Sequence, residues 1–158
     1  MNKQHHYHLS LDWTGNTGRG TENYLNYKRD HVIKMVGKPA IALSSDPAFM
    51  GDPSKYNPEE LLLASLSSCH MLWYLHLCVI NNVIFLKYSD HPEGIMDEEA
   101  DGSGKFTKVI LKPEVIVLDK TMISTALELH KEANKKCFIA NSMNFTVLHQ
   151  AIIRMKKK

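Results

Sequence analysis

Hydrophobic and polar positions alternate near the start of the chain, which predicts β-strands there. A half-buried strand is predicted for residues 5–13, where one face is formed by Tyr7, Leu9, Leu11 and Trp13. The glycines between residues 15 and 20 favour a hairpin-type turn after that strand. Aromatic and β-branched residues in 22–43, divided by Gly37-Lys38-Pro39, predict two further strands.

A long helix is predicted to begin at Asn57 and to run without a break to about Asn81. Asn57 is a favourable N-cap, and Pro58 suits the first helical position. Glu59 and Glu60 then complement the positive end of the helix dipole. The preceding segment is polar and rich in proline, so it is interpreted as a loop.

The second half of the chain predicts strands, a helix and a last strand. Strands are predicted for residues 83–96 and 105–118, with an acidic, glycine-bearing loop between them. Residues 120–137 have helical spacing, with Thr121 as a possible cap. A final strand is predicted for roughly 145–153. This order of elements predicts an α+β fold, with mainly antiparallel strands around the long central helix.

Length, composition and charge are those of an ordinary globular protein. The 158 residues are 44% hydrophobic and 23% charged, and without a repeat or linker they predict a single domain over 1–158. A net charge of +2 with mixed signs gives no reason to expect nucleic acid as a partner. The basic end, residues 154–158, is interpreted as a solvated terminus.

The apolar runs favour a cytoplasmic protein without a membrane span. Residues 1–13 contain no apolar signal-peptide core, so a cytoplasmic location is expected. The most apolar run, residues 61–84, is interrupted by three serines and two histidines. We therefore expect no membrane-spanning helix and no membrane partner.

Two of the three cysteines fall in the long helix, and helix geometry gives them different roles. Cys69 and Cys78 are nine residues apart, so they point to opposite sides and lie about 13 Å apart along the axis. A disulfide between them is excluded by that distance. Cys78 is predicted to be a small buried apolar residue. Cys69 also has apolar neighbours, so its thiol would be inert unless a cation lowers its pKa.

Two segments carry a resemblance to a known family. NPEELLLASLSSCH, residues 57–70, and the later cysteine of HKEANKKCFIANSMNF, residues 130–145, closely resemble the OsmC/Ohr family. This family comprises osmotically inducible protein C and the organic hydroperoxide resistance proteins, and the resemblance covers nearly the whole chain. It implies an OsmC-like fold, an intertwined homodimer, and a thiol peroxidase that reduces organic hydroperoxides without a cofactor or metal.

The resemblance also implies a set of site residues. Cys69 would be the peroxidatic thiolate that becomes a sulfenic acid, and Cys137 would be the resolving thiol that closes a disulfide. Arg19 would activate the thiolate, and Glu59 would hold that arginine in place. The segment after Arg19 differs from the short-loop members of the family, so Arg29 is a rival for the guanidinium role.

Helix geometry adds a prediction about assembly. Glu59 and Cys69 are ten residues apart, which is about 15 Å along one helix. A single arginine does not comfortably bridge that distance. If Glu59, Arg19 and Cys69 share a site, some of them are best supplied by a second chain. We therefore expect active sites shared across a homodimer interface.

The long helix also offers an apolar surface for a substrate, and its residues leave other functions open. An apolar wall formed by Leu66, Met71 and Trp73 would suit the alkyl tail of a peroxide. Two alternatives remain: a non-catalytic protein that binds a small lipophilic ligand at the dimer interface, and a thiol redox sensor. A peroxidase would also need a dithiol reductant as a partner.

The nine histidines do not predict a metal site. Those near the N-terminus are interpreted as part of a ragged end. His70 and His76 are about 120° apart on the helix, which is poor geometry for one ion. His130 precedes Cys137 by seven residues, and packing or capping is favoured for it.

Overall fold

The computed structural model describes residues 3–156 and divides into two compact units, residues 1–61 and 62–158. The single domain over 1–158 stays a prediction. Two expectations extend beyond the described residues. The segment expected to lack a signal-peptide core includes Met1 and Asn2, and the basic terminus includes Lys157 and Lys158.

The first unit contains an antiparallel sheet in the order β1-β2-β3. Its strands are β1 (Ser10–Trp13), β2 (His31–Lys34) and β3 (Ile41–Leu43). The first strand is therefore shorter than predicted, because the ladder to β2 begins only at the pair Ser10–Lys34. Both strands predicted in residues 22–43 are present.

The long helix α1 runs from Pro58 to Ile80, as the sequence predicted. Its start is fixed by a capping box. The Asn57 backbone N–H donates to Glu60 Oε2 at 3.0 Å, and the Glu60 N–H donates to Asn57 Oδ1 at 2.8 Å. Asn57 is thus the N-cap, and Pro58 occupies the first helical position.

The mean hydropathy of α1 is higher than expected, since no helix was expected to be apolar enough to span a membrane. An 18-residue window of this helix has a mean hydropathy of 1.4, so by length and composition alone it could cross a membrane. The serines and histidines that interrupt the run lower the mean hydropathy, but not below the range of membrane-spanning helices. The core helices of globular proteins reach similar values. Only 28% of the window is buried, so much of its apolar surface is uncovered in the single chain.

Two strands predicted in the second unit are each divided in two. The first becomes β4 (Phe85–Asp90) and β5 (Glu93–Glu98), and the second becomes β6 (Gly104–Leu111) and β7 (Pro113–Val117). Each break contains or adjoins a proline, which lacks a backbone N–H for the ladder. At each break the chain leaves one sheet for another, because β4 pairs with β7 and β5 pairs with β6.

The predicted final strand is also divided, into β8 (Thr146–His149) and β9 (Ile152–Met155). It completes two sheets, in the orders β4-β7-β9 and β5-β6-β8. The β6–β8 and β7–β9 pairs are parallel, whereas the other strand pairs are antiparallel. The predicted α+β fold with mainly antiparallel strands is confirmed.

The second helix, α2, spans Ile123–Lys136 and follows a short 3₁₀ turn at Lys120–Met122. Asp119 caps this segment, not Thr121 as predicted. The Asp119 side chain accepts from the Thr121 backbone N–H at 2.8 Å. An ionised carboxylate is the stronger acceptor at this position.

The core of the second unit forms around α1 in two clusters. The larger joins the C-terminal half of α1 to α2 and β7, with Tyr74, Cys78, Val117, Ala126 and Ala133 almost fully buried. The smaller joins Leu66 on α1 to Val109 and Leu111 on β6. The middle of α1, which carries Cys69, lies between the two clusters along the helix.

Candidate functional site

The structure brings Cys69 and Cys137 together in the second unit. Cys69 is half-buried in the middle of α1, and Cys137 is the first residue after α2 and is 1% exposed. Burial and then the neighbouring Cys69 thiol raise the pKa of the Cys137 thiol to about 11. The site is therefore a pair of free thiols in contact, one accessible and one enclosed.

Backbone geometry holds Cys137 in this place. It leaves the helix in an extended conformation, and its N–H donates to the Asn134 carbonyl at 3.3 Å. Its sulfur accepts from the Ala140 N–H at 3.4 Å. The 3₁₀ turn at Ala140–Ser142 then carries the chain away. Cys137 is thus anchored on both sides, while its side chain faces α1.

Cys78 is separate from this pair. It is 1% exposed in the larger core cluster, where burial raises the pKa of its thiol to about 11. A protonated thiol surrounded by apolar groups is a poor nucleophile. The prediction that Cys78 is a buried apolar-type residue is confirmed.

Arg19 and Glu59 both belong to the first unit, and their placement beside the thiols stays a prediction. Arg19 is exposed, and its guanidinium lies 3.7 Å from the Glu22 carboxylate. Glu59 is half-buried in the first turn of α1. Its neighbour Glu60 is engaged in the capping box, whereas Glu59 forms no ion pair or side-chain hydrogen bond within residues 3–156.

Arg29, the rival guanidinium, is held much more firmly than Arg19. Its Nη1 donates to the carbonyls of Tyr24 and Tyr27, both at 2.9 Å. The guanidinium carbon lies 4.4 Å from the centre of the Tyr27 ring. These contacts fix a positive charge at the wall of an open cavity of about 370 Å³ in the first unit. Such a cation is already ordered before it binds anything.

A pair of buried histidines is the feature that the sequence analysis missed. His70 and His130 are fully buried, and His70 Nε2 lies 2.9 Å from His130 Nδ1. The Tyr74 ring stacks on the His130 ring with a centroid distance of 3.9 Å. His149, on β8, has its ring 5.8 Å from that of His70. His130 therefore packs, as was favoured, and its partner is another imidazole.

Burial keeps both imidazoles neutral. Desolvation, with a smaller effect of His149, lowers the pKa of His70 to about 4. Desolvation, with smaller effects of His70 and His149, lowers the pKa of His130 to about 3. A signal for this pair was present in the sequence, because His70 shares a helical stripe with Leu66, Tyr74 and Leu77. Within residues 3–156, His70 Nδ1 and His130 Nε2 have no hydrogen-bond partner.

The accessible surface near Cys69 is aromatic. Phe138 is 69% exposed, and its ring meets that of Trp73 edge to face at 5.6 Å. Trp73 also lines a shallow cavity of about 260 Å³ together with Leu72 and His76. Leu66 was expected in this wall, but it is completely buried against β6. The helical periodicity could not distinguish a core position from an accessible one.

Nothing in the described part of the chain forms a metal centre. Over residues 3–156, no group of three or more histidine, cysteine, aspartate or glutamate side chains could hold a metal ion. His6 and His8, which could share a strand face, lie before β1 and are exposed.

Comparison with known proteins identifies the family. The family model described as OsmC-like protein matches residues 51–150. This chain belongs to the OsmC-like family. The resemblance inferred from residues 57–70 and the later cysteine is confirmed. Among curated proteins, no sequence matches the chain.

Solved structures share the whole fold of this OsmC-like protein. An OsmC-like protein of unknown function from Vibrio cholerae is 28% identical, with a TM-score of 0.80 over 94% of this chain and 100% of that one. An organic hydroperoxide resistance protein from Elizabethkingia anophelis is 15% identical, with a TM-score of 0.69 over 98% and 100% of the two chains. A third, from Legionella pneumophila, is 16% identical, with a TM-score of 0.69 over 96% and 99%. The predicted OsmC-like fold is confirmed.

Proposed function

We propose that this OsmC-like protein is a cysteine-based thiol peroxidase that reduces organic hydroperoxides. The observation that carries the proposal is the contact between the half-buried Cys69 and the enclosed Cys137. Two solved structures of the same fold are named organic hydroperoxide resistance proteins, which supports this choice of substrate. At the level of the family, a peroxidase-related role is the function best supported.

The first step oxidises Cys69. Its thiolate attacks one oxygen of the hydroperoxide, so an S–O bond forms and the O–O bond breaks. The departing alkoxide takes a proton and leaves as an alcohol, and Cys69 becomes a sulfenic acid. Cys69 is the better nucleophile of the two, because the raised pKa of Cys137 keeps that thiol protonated.

The second step closes a disulfide. The Cys137 sulfur attacks the Cys69 sulfur, so an S–S bond forms and the S–O bond breaks. The Cys137 proton leaves with the hydroxide as water. An external dithiol then reduces the disulfide and is itself oxidised. A cytoplasmic location suits this cycle, because thiol systems there keep cysteines reduced.

The activating cation is Arg19 or Arg29, with Glu59 as its anchor. A guanidinium stays charged at every relevant pH and can donate hydrogen bonds to a thiolate or a peroxide oxygen. The ordered environment of Arg29 favours it, since less entropy is lost when an already fixed side chain binds. Arg19 has the position that the family resemblance implies, but its side chain is exposed.

A homodimer with shared sites is part of the proposal. Apolar side chains on α1 are strongly exposed in the single chain, among them Val79 at 77% and Leu72 at 58%. The β1 residues Leu11 and Trp13 are also exposed. A helix face with several strongly exposed apolar side chains marks an interaction surface. A second copy that covers α1 could also supply the guanidinium that the Glu59–Cys69 spacing calls for.

Mass spectrometry of the thiols tests the function. The reduced protein is treated with one molar equivalent of cumene hydroperoxide and then digested without reductant. A Cys69–Cys137 disulfide is expected, and the C137S protein should instead give a Cys69 sulfenic acid that dimedone traps. The C78S protein is the matched control and should behave like the wild type. Untouched thiols in all proteins would contradict the peroxidase and favour a protein that binds a lipophilic ligand.

A further inference from the structure

Three contacts in register join α1 to α2 and to Cys137, the residue that follows α2. Cys69 meets Cys137, His70 meets His130 at 2.9 Å, and the Tyr74 hydroxyl donates to the Ala126 carbonyl at 3.1 Å. Positions ascend along α1 while they descend along α2, so the two helices run antiparallel. The imidazole pair lies directly between the thiol pair and the tyrosine contact.

The imidazole contact is geometrically well defined. The two rings are nearly coplanar, with an interplanar angle of 7°, as expected when a ring N–H points at the lone pair of another ring. Tyr74 covers one face of His130. Ala126 and Ala133 are fully buried on α2, and such small side chains allow the helices to approach closely. The contact therefore permits little sliding between α1 and α2.

Burying this pair of imidazoles in the core costs free energy. Each ring satisfies one nitrogen and leaves the other without a partner within residues 3–156. Two leucines would avoid that desolvation cost. What a directional hydrogen bond adds is a single preferred register, because a shift of one residue on either helix removes it.

The alignment of α1 and α2 that brings the two histidines together also brings the two thiols together. Cys69 precedes His70 directly, and Cys137 follows His130 by seven residues, which is about two helical turns on the same face. We propose that the His70–His130 hydrogen bond is a positioning contact that holds Cys69 and Cys137 at the separation and orientation required for their disulfide. His70 and His130 are positioning residues in this scheme and do not touch the substrate.

The consequence is a change in the disulfide equilibrium. Closing an S–S bond requires strict distances and dihedral angles, so a helix pair held in register favours the oxidised form. The inference deepens the proposed function, since it concerns the same two thiols. It can nevertheless be tested without any hydroperoxide, by equilibrium with oxidised and reduced glutathione. In that reaction the protein dithiol loses two electrons and one glutathione disulfide becomes two thiols.

Two variants of similar polarity separate the contact from mere core packing. In His70→Gln the side-chain amide takes the place of Nε2, so a hydrogen bond with His130 Nδ1 is kept. In His70→Asn the amide is one bond shorter and cannot reach. His91→Leu, at an exposed position between β4 and β5, is the control for general loss of an imidazole.

The equilibrium constant for Cys69–Cys137 oxidation should fall about tenfold in His70→Asn, the size of one net hydrogen bond. It should stay within about threefold of the wild-type value in His70→Gln. Equal constants in His70→Asn and wild type, both folded by circular dichroism, would overturn the inference. If His70→Asn does not fold, a tenfold loss in His70→Gln would do the same. Untouched thiols under hydroperoxide defeat the peroxidase alone, because the glutathione equilibrium is measured separately.

Discussion

The buried histidine pair makes a quantitative prediction about acid stability. Both imidazoles have an unfolded-state pKa near 6.5, while burial lowers the folded pKa of His70 to about 4 and that of His130 to about 3. Below pH 6.5 the two imidazoles bind protons in the unfolded chain but not in the folded chain. The free energy of unfolding must therefore fall as the pH is lowered from 6.5 towards 4.

The size of the effect follows from those pKa values. Each histidine removes about 1.4 kcal/mol of stability per pH unit, or about 3 kcal/mol over the two units down to pH 4.5. The two together remove about 3–5 kcal/mol, because they lie in contact and do not titrate independently. A domain of this size has about 5–15 kcal/mol of stability in total, so this loss is a substantial share of it.

Neighbouring groups do not reverse this trend. Burial raises the pKa of Tyr88 on β4, and burial followed by effects of Cys78 raises that of Tyr74 on α1, so both stay neutral in acid. Burial also lowers the pKa of His149 on β8, which adds to the effect with the same sign. The effect of His149 on the free energy of unfolding remains in any variant of His70 or His130.

Urea unfolding monitored by tryptophan fluorescence at several pH values between 7.5 and 4.5 measures the effect. The reference is the His70→Gln, His130→Asn double variant, in which the amides keep the mutual hydrogen bond but do not titrate. The wild type should lose about 3–5 kcal/mol more than this variant between the two pH limits. Parallel curves for the two proteins would refute the reasoning, because the shared His149 and the carboxylates act equally in both.

Three further predictions address the cation, the assembly and the helix start. Arg29→Lys should slow the reaction of Cys69 with cumene hydroperoxide by about tenfold to a hundredfold, because an ammonium lacks the guanidinium fork. Arg19→Lys should have little effect. If stopped-flow rates show the larger loss in Arg19→Lys, Arg19 is the activating residue. Val79→Glu should yield monomers by light scattering, whereas Val36→Glu, at an exposed turn residue, should leave dimers. A Val79→Glu protein that stays dimeric would show that α1 is not part of the interface. Asn57→Ala should cost about 1 kcal/mol in urea unfolding, and no loss would mean that the capping box is not formed in solution.

Local signals in the sequence determined the helices well. Asn57 and Pro58 fixed the start of α1 because a cap acts within one turn of chain and needs no distant partner. The strands were less well predicted. Residues 83–96 and 105–118 each have continuous strand propensity, but each divides where the chain passes to another sheet. Which sheet a segment joins depends on partners far along the chain, and propensity does not contain that information.

At the candidate site, too, the sequence predicted some features and the tertiary structure decided others. Helix geometry alone separated Cys69 from Cys78, and the buried, protonated state of Cys78 bears that out. The contact of Cys69 with Cys137, and that of His70 with His130, required the antiparallel packing of α1 on α2. The sequence by itself determined which side chains each helix presents on a face, because that depends on a fixed rotation of about 100° per residue. Only the tertiary structure decided which faces meet, because that depends on how the whole core packs at close density.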